Sequence, residues 1–82
     1  MDLNDREMAL RRLAVTEEAL ARARDHAARQ REIVAKLESG GHDPSQARQI
    51  LATFEALQEN HERRLAMLLD ELARRGWKLA QS

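Results

Sequence analysis

The chain has 82 residues, enough for one small domain. Hydrophobic residues make up 43% of it, charged residues 34% and aromatic residues only 2%, a mixture typical of long amphipathic helices and not of a sheet. The 14 basic and 14 acidic residues balance, which argues against a nucleic-acid or membrane surface that depends on bulk charge. Cysteine is absent, which excludes disulfides and thiolate chemistry.

The first helix is expected to run from residue 4 to residue 39. Asn4 and Glu7 form a capping-box pattern, and neither glycine nor proline follows before Ser39. The main apolar stripe alternates steps of three and four residues, as in a heptad seam. Its members are Leu13, Thr16, Leu20, Ala23, Ala27, Gln30, Val34 and Leu37. A second, partial stripe lies beside it and contains Met8, Val15, Ala19, His26 and Ile33.

A turn is expected at residues 40–43, near the middle of the chain. Gly40 and Gly41 supply the left-handed backbone that often closes a helix, because this conformation costs little without a Cβ. Asp43 is positioned to cap the next helix, with Pro44 at its first position. The sequence therefore predicts a helix end and a helix start almost back to back.

The second helix is expected at residues 44–75, before Gly76, and its apolar face is broad. The predicted stripe is Ile50, Phe54, Leu57, His61, Leu65, Leu68 and Leu72, flanked by Leu51 and Leu69. Residues 76–82 form a short tail. Its Trp77 and Leu79 either fray or pack on the open end of the hairpin.

The fold class that follows is all-α: a single two-helix antiparallel hairpin over residues 1–82. Residue numbers that face each other should sum to roughly 85. Two helices have little interior, so these broad apolar faces need a second covering layer. The simplest solution is a homodimer that forms a four-helix bundle, and the alternative is a different helical protein partner. The expected interface residues are Val15, Leu20, Ile33, Leu51, Leu65 and Leu69.

The charged residues indicate a solvated exterior laced with ion pairs. Within the predicted helices an acidic residue stands four positions before a basic one in seven cases, and such pairs stabilise a helix. They are Glu7–Arg11, Glu18–Arg22, Asp25–Arg29, Glu32–Lys36, Glu59–Arg63, Asp70–Arg74 and Glu71–Arg75. Arg24 and Arg31 flank the seam and are expected to reach Glu62 and Glu55 across the hairpin. Since a phosphate-binding face would leave arginines unpaired, this spacing disfavours nucleic-acid binding.

Two of the three histidines, His26 and His61, are the only candidates for site chemistry. Their numbers sum to 87, so they could share a layer that a two-fold dimer would double to four imidazoles. The stronger interpretation is half-buried histidines bonded to local acceptors, because the Glu-x-x-His motif of di-iron bundles is missing. His42 is expected to be exposed in the turn. We therefore expect no metal and no cofactor.

The segment His61-Glu62-Arg63-Arg64 resembles the His-Glu-x-Arg core of the phosphoacceptor box in sensor histidine kinases, which also dimerise through helical hairpins. The resemblance implies phosphotransfer on His61. The proline that usually follows is absent, and His61 falls on the second helix instead of the first. These departures put the implied role in doubt.

A wider resemblance covers roughly residues 26 to 72. The stretch 26–38 (HAARQREIVAKLE), the turn residues Gly41-His42-Asp43 and the stretch 51–55 (LATFE) resemble a group of short proteobacterial proteins to which no activity is assigned. The resemblance implies a natural bacterial cytoplasmic protein and carries no site residues.

No catalytic set is present, since the serines lack a base and an orienting group and no phosphate-binding glycine loop occurs. No secretory signal and no run of ~20 apolar residues is found, so a cytoplasmic location without membrane insertion is expected. The sequence thus predicts a non-enzymatic, homo-oligomeric helical interaction or regulatory module. The alternative is a histidine-dependent role in metal binding or phosphotransfer.

Overall fold

The computed structural model describes residues 3–77 as two α-helices with no strand among them. Helix α1 spans Leu3–Ser39 and helix α2 spans Ser45–Arg74. They pack along each other in a body of 59 × 21 × 16 Å. The predicted all-α hairpin is confirmed. The predicted cap at Asn4 is not confirmed. Helix α1 already includes Leu3, and a residue inside the helix cannot adopt the non-helical backbone of a cap.

Helix α1 ends in a Schellman motif centred on Gly41. The Gly41 N–H donates to the Glu38 carbonyl (3.2 Å) and the His42 N–H donates to the Leu37 carbonyl (2.8 Å). Gly41 has a φ of 77°, in the left-handed region where glycine is favoured. The turn thus closes the last carbonyls of α1 without help from a side chain.

Gly40 serves the turn differently from the prediction, because its φ is not positive. A Cβ at this position would lie 3.1 Å from His42 Cδ2 and 3.2 Å from the Lys36 carbonyl oxygen. A Cβ at residue 40 would thus fit only tightly, and glycine favours this close approach instead of supplying left-handed backbone.

Helix α2 starts under a cap from Asp43. The carboxylate oxygen Oδ1 of Asp43 accepts hydrogen bonds from the Ser45 N–H (3.0 Å) and the Ser45 hydroxyl (2.6 Å). These bonds favour the ionised carboxylate and lower the pKa of Asp43 below its ordinary value of 3.8. Helix α2 begins at Ser45, one position later than predicted, so Pro44 lies just before the helix.

The far end of α2 repeats the closing motif of α1. Gly76 has a φ of 74°, and the Trp77 N–H donates to the Leu72 carbonyl at 2.9 Å. The Arg75 guanidinium lies over the half-buried Trp77 ring, 4.9 Å from the ring centre, in a cation–π contact. Trp77 therefore packs at the open end of the hairpin, while Leu79 lies outside the described residues.

The core is a single seam between the helices, and its α1 side follows the predicted stripe. Each stripe residue from Leu13 to Val34 is buried, and Leu37 is half-buried. Ala27 is completely buried, so the helices approach closely at the middle of the seam. Gln30 is buried as well, and its side-chain N–H donates to the Ala47 carbonyl on α2 at 3.0 Å. This bond satisfies the amide inside the seam and fixes the two helices near the turn.

The α2 side of the seam differs from the prediction at two positions. Ile50 and Leu57 remain 43% and 44% exposed, although they were placed on the inner stripe. The inward-facing residues instead keep a strict alternation of four and three: Ala47, Leu51, Phe54, Gln58, His61, Leu65, Leu68 and Leu72. One residue is about 100° of helix rotation, so Ile50 and Leu57 point to the side of the seam.

Candidate functional site

The seam has two sides, and one of them, here called the ion-pair flank, is closed by salt bridges between the helices. Arg24 Nη2 lies 3.5 Å from Glu62 Oε2, and Arg31 Nη2 lies 3.3 Å from Glu55 Oε2. A third pair joins Arg48 to Glu38 near the turn. Successive pairs are seven residues apart on both helices, so the ladder repeats with the heptad of the seam.

The first two bridges confirm the predicted reach of Arg24 and Arg31 across the hairpin, and the third was not foreseen. In each pair the residue numbers, such as 31 and 55, add up to 86, close to the predicted register. All six side chains are largely exposed, so each pair contributes only about 0.2–1 kcal/mol. Their consequence is structural, because a shift of one helix against the other would break all three together.

The other side of the seam, here called the apolar flank, carries large apolar side chains that are open to solvent. Ile33 is 47% exposed on α1, and Ile50 and Leu57 are 43% and 44% exposed on α2. Leu57 lines a groove of about 190 Å³ together with His26. Because Ile33 follows His26 by one heptad and Ile50 precedes Leu57 by one, all of these residues belong to the same flank.

The apolar flank divides into two parts along its length. The turn-proximal patch is formed by Ile33, Ile50, Phe54 and Leu57. The arginine groove, toward the open end, has a volume of about 330 Å³. Its lining residues are Arg11, Arg12, Val15, Thr16, Arg64 and Leu68. One part is thus apolar and the other is basic around an apolar floor.

Two of the three histidines, His26 and His61, line one groove at the edge of the turn-proximal patch. The His26 ring stacks on Phe54 with the ring centres 5.2 Å apart and the planes inclined by 17°. The half-buried His61 lines the same groove as His26, but His26 is exposed and not half-buried as predicted. Within residues 3–77 there is no cluster of three or more His, Asp or Glu side chains that could hold a metal ion.

The predicted interface residues fall into different environments. Leu20 is only 3% exposed and faces α2, so its placement at a surface for a second copy is wrong. Leu51 and Leu65 are half-buried in the seam. Leu69 is 37% exposed, but it follows Glu62 by one heptad and therefore lies on the ion-pair flank.

Three of the seven predicted intrahelical pairs form: Asp25–Arg29, Asp70–Arg74 and Glu71–Arg75, at 3.0–3.2 Å. The other four are absent from the ion pairs of the described residues. Arg63 donates instead to the Asn60 side-chain oxygen at 3.1 Å. Exposed ion pairs gain little free energy against the entropy of two long side chains, so spacing alone does not guarantee them.

Neither described helix contains a stretch that is long and apolar enough to cross a membrane. Comparisons with protein families, with curated proteins and with solved structures found no match for the chain. The difference between the ion-pair flank and the apolar flank is therefore the structural feature that bears on function.

Proposed function

We propose that this protein is a non-enzymatic interaction module that works as a homodimer, in which the apolar flanks of two hairpins pack into a four-helix bundle. The observation that carries the proposal is the exposure of Ile33, Ile50 and Leu57 together on one flank. Large apolar side chains that are grouped on a surface mark interaction sites more often than scattered ones do.

The modest interior of a single hairpin supports this proposal. The seam holds several small or polar side chains, among them Thr16, Ala23, Ala27 and Gln30, and Leu72 is the largest side chain that is almost fully buried. Burial of apolar area stabilises a fold by roughly 25 cal/mol per Å². A second hairpin on the apolar flank would bury the isoleucines and Leu57 and would supply the interior that two helices lack.

The distribution of charge along the apolar flank favours the turn-proximal patch as the surface that contacts the second copy. The turn-proximal patch offers aliphatic and aromatic side chains, whereas the open end offers Arg12 and Arg64, and burial of unpaired arginines costs several kcal/mol. A two-fold axis perpendicular to the helices would join the two patches and place the arginine grooves at opposite ends of the dimer. An axis along the helices would bring the arginines of both copies face to face.

Variants on the two flanks test the proposal by sedimentation equilibrium. The double variant Ile33→Glu/Leu57→Glu places charges in the patch and should be a monomer at concentrations where the wild type is a dimer. The matched control is Leu69→Lys, which puts a charge on the ion-pair flank opposite Glu17 and should remain dimeric. Far-ultraviolet circular dichroism verifies that each variant is helical.

If Ile33→Glu/Leu57→Glu remains a folded dimer, the apolar flank is not the interface. A folded, monomeric Leu69→Lys would move the interface to the ion-pair flank and would equally contradict the proposal. Should the double variant lose its helicity, Ile50→Gln provides the same test with a milder change, and it should weaken the dimer.

A further inference from the structure

The arginine groove at the open end has the size and lining of a small ligand site. Its volume of about 330 Å³ lies at the lower end of the range for ligand pockets. Thr16, buried in the seam, and the half-buried Leu68 form its floor, and Val15 forms one apolar wall. No acidic side chain lines this groove.

Within the described part of the chain, the arginines of the groove differ from six other arginines in forming no salt bridge with a carboxylate. Six arginines form salt bridges: Arg24, Arg29, Arg31, Arg48, Arg74 and Arg75. Arg11, Arg12 and Arg64 form none of the ion pairs within residues 3–77. Three positive charges thus surround one groove without a salt bridge to any carboxylate of the described residues.

For Arg12 and Arg64 the sequence explains why no ion pair forms within the helix. The residues one helical turn away from Arg12 and from Arg64 include no carboxylate on either side. Glu7 stands four positions before Arg11, yet the structure does not pair the two. Glu71 and Asp5 share a neighbouring groove with Arg12; Glu71 is bound to Arg75 at 3.2 Å, and Asp5 has an interaction of its own.

We infer that the arginine groove binds a small anionic amphiphile, a molecule with a carboxylate or phosphate head on an apolar body. Guanidinium groups bind such heads through paired, charge-assisted hydrogen bonds, and Arg11, Arg12 and Arg64 supply three of them at one place. Val15 and Leu68 supply the surface for the apolar body. A second copy of the chain is a poorer occupant, because its own arginines would be brought to the same place.

This inference goes beyond the proposed function and does not depend on it. The arginine groove and the turn-proximal patch share no residue, and the proposed dimer leaves both grooves open at its ends. The variant Ile33→Glu/Leu57→Glu should therefore keep the binding site whether or not it dimerises.

Isothermal titration calorimetry of the full chain tests the inference, with decanoate as the probe below its micelle concentration. We expect one decanoate per chain. Acetate, which lacks the long apolar body, and decanol, which lacks the carboxylate, should bind much more weakly. In Arg12→Gln/Arg64→Gln the affinity should fall about tenfold or more, because charge-assisted hydrogen bonds are lost. The matched control is Arg63→Gln, one position from the groove, and it should bind as the wild type does.

Equal affinity of the wild type and Arg12→Gln/Arg64→Gln would overturn the inference, as would equal binding of decanol and decanoate. A third arm uses vesicles of phosphatidylglycerol. Binding to these vesicles without binding of free decanoate would replace the small ligand by an anionic membrane surface, and would contradict the site as proposed. The arginines are exposed, so both glutamine variants should fold, and circular dichroism verifies this.

Discussion

The two flanks of the hairpin border the same seam but are built in opposite ways. On the ion-pair flank Arg24, Arg31 and Glu38 find partners on α2, so the polar groups of this flank are used inside the chain. On the apolar flank the corresponding positions are occupied by Ile33 and Leu57, which remain exposed. A heptad seam thus fixes how two helices meet, while the residues beside the seam decide whether the pair is closed or open to a partner.

The difference also separates register from association. Charged pairs on an exposed surface add little free energy, but they distinguish one alignment of the helices from another. Exposed aliphatic side chains carry little information about alignment, but their burial drives association. The predictions below test this division, beginning with the seam that both flanks share.

The largest effect is expected from Leu20→Ala. Leu20 is 3% exposed in the seam, and removal of a buried leucine side chain costs about 2–5 kcal/mol of unfolding free energy. Urea unfolding measures this loss, and Met67→Ala, at a residue that is 70% exposed, is the control with an expected change of about 0.5 kcal/mol or less. A loss as small as the control's would mean that Leu20 does not face α2.

A smaller effect is expected from reversing one charge on the ion-pair flank. Arg31→Glu would set two carboxylates opposite each other at Glu55 and should cost up to about 1 kcal/mol, less at high salt. The second change Glu55→Arg should restore most of the loss in a double-mutant cycle. If the two changes were simply additive, the ladder would not contribute to the alignment of the helices.

The smallest effect is expected at the turn that holds both flanks in place. The pKa of Asp43 is lowered by hydrogen bonds from the Ser45 hydroxyl and N–H, so its ionised form stabilises the fold. This contribution is fully present above the ordinary value of 3.8 and is lost as the pH falls through the lower pKa of the folded state. The Tm of the wild type should therefore exceed that of Asp43→Asn at neutral pH, and the difference should close below pH 3.8.

The variant Ser45→Ala refines the same measurement. It removes the hydroxyl donor and leaves the N–H, so the pH-dependent part of the Tm should shrink without vanishing. A Tm difference between the wild type and Asp43→Asn that stays constant down to the lowest pH would show that the carboxylate charge does not support the start of α2.

Much of the fold could be predicted from the sequence because the local signals agree. The glycines mark both helix ends, Asp43 marks the start of α2, and the steps of three and four gave the α1 side of the seam. On α2 the apolar pattern predicts Ile50 and Leu57 on the inner stripe, whereas in the structure the adjacent residues Leu51 and Gln58 face inward. A strict heptad counted back from Leu72 would have found the correct face.

The candidate interface was harder to predict, since it depends on which side of a broad apolar face the partner helix covers. Val15 and Ile33, predicted on the second stripe and at the interface, are exposed, whereas Leu20, predicted both on the main stripe and at the interface, is buried in the seam. The arginine groove could not be predicted, because spacing assigned Arg11 to a pair with Glu7. Whether an exposed pair forms is decided by side-chain entropy and not by spacing.

The central claim, that the apolar flank of the hairpin takes a second copy, is tested most directly by the mass of the wild-type protein in solution. Sedimentation equilibrium at micromolar concentration should give twice the 9.4 kDa of one chain, with a monomer appearing on dilution. A folded, stable 9.4 kDa monomer across the same concentrations would contradict the account.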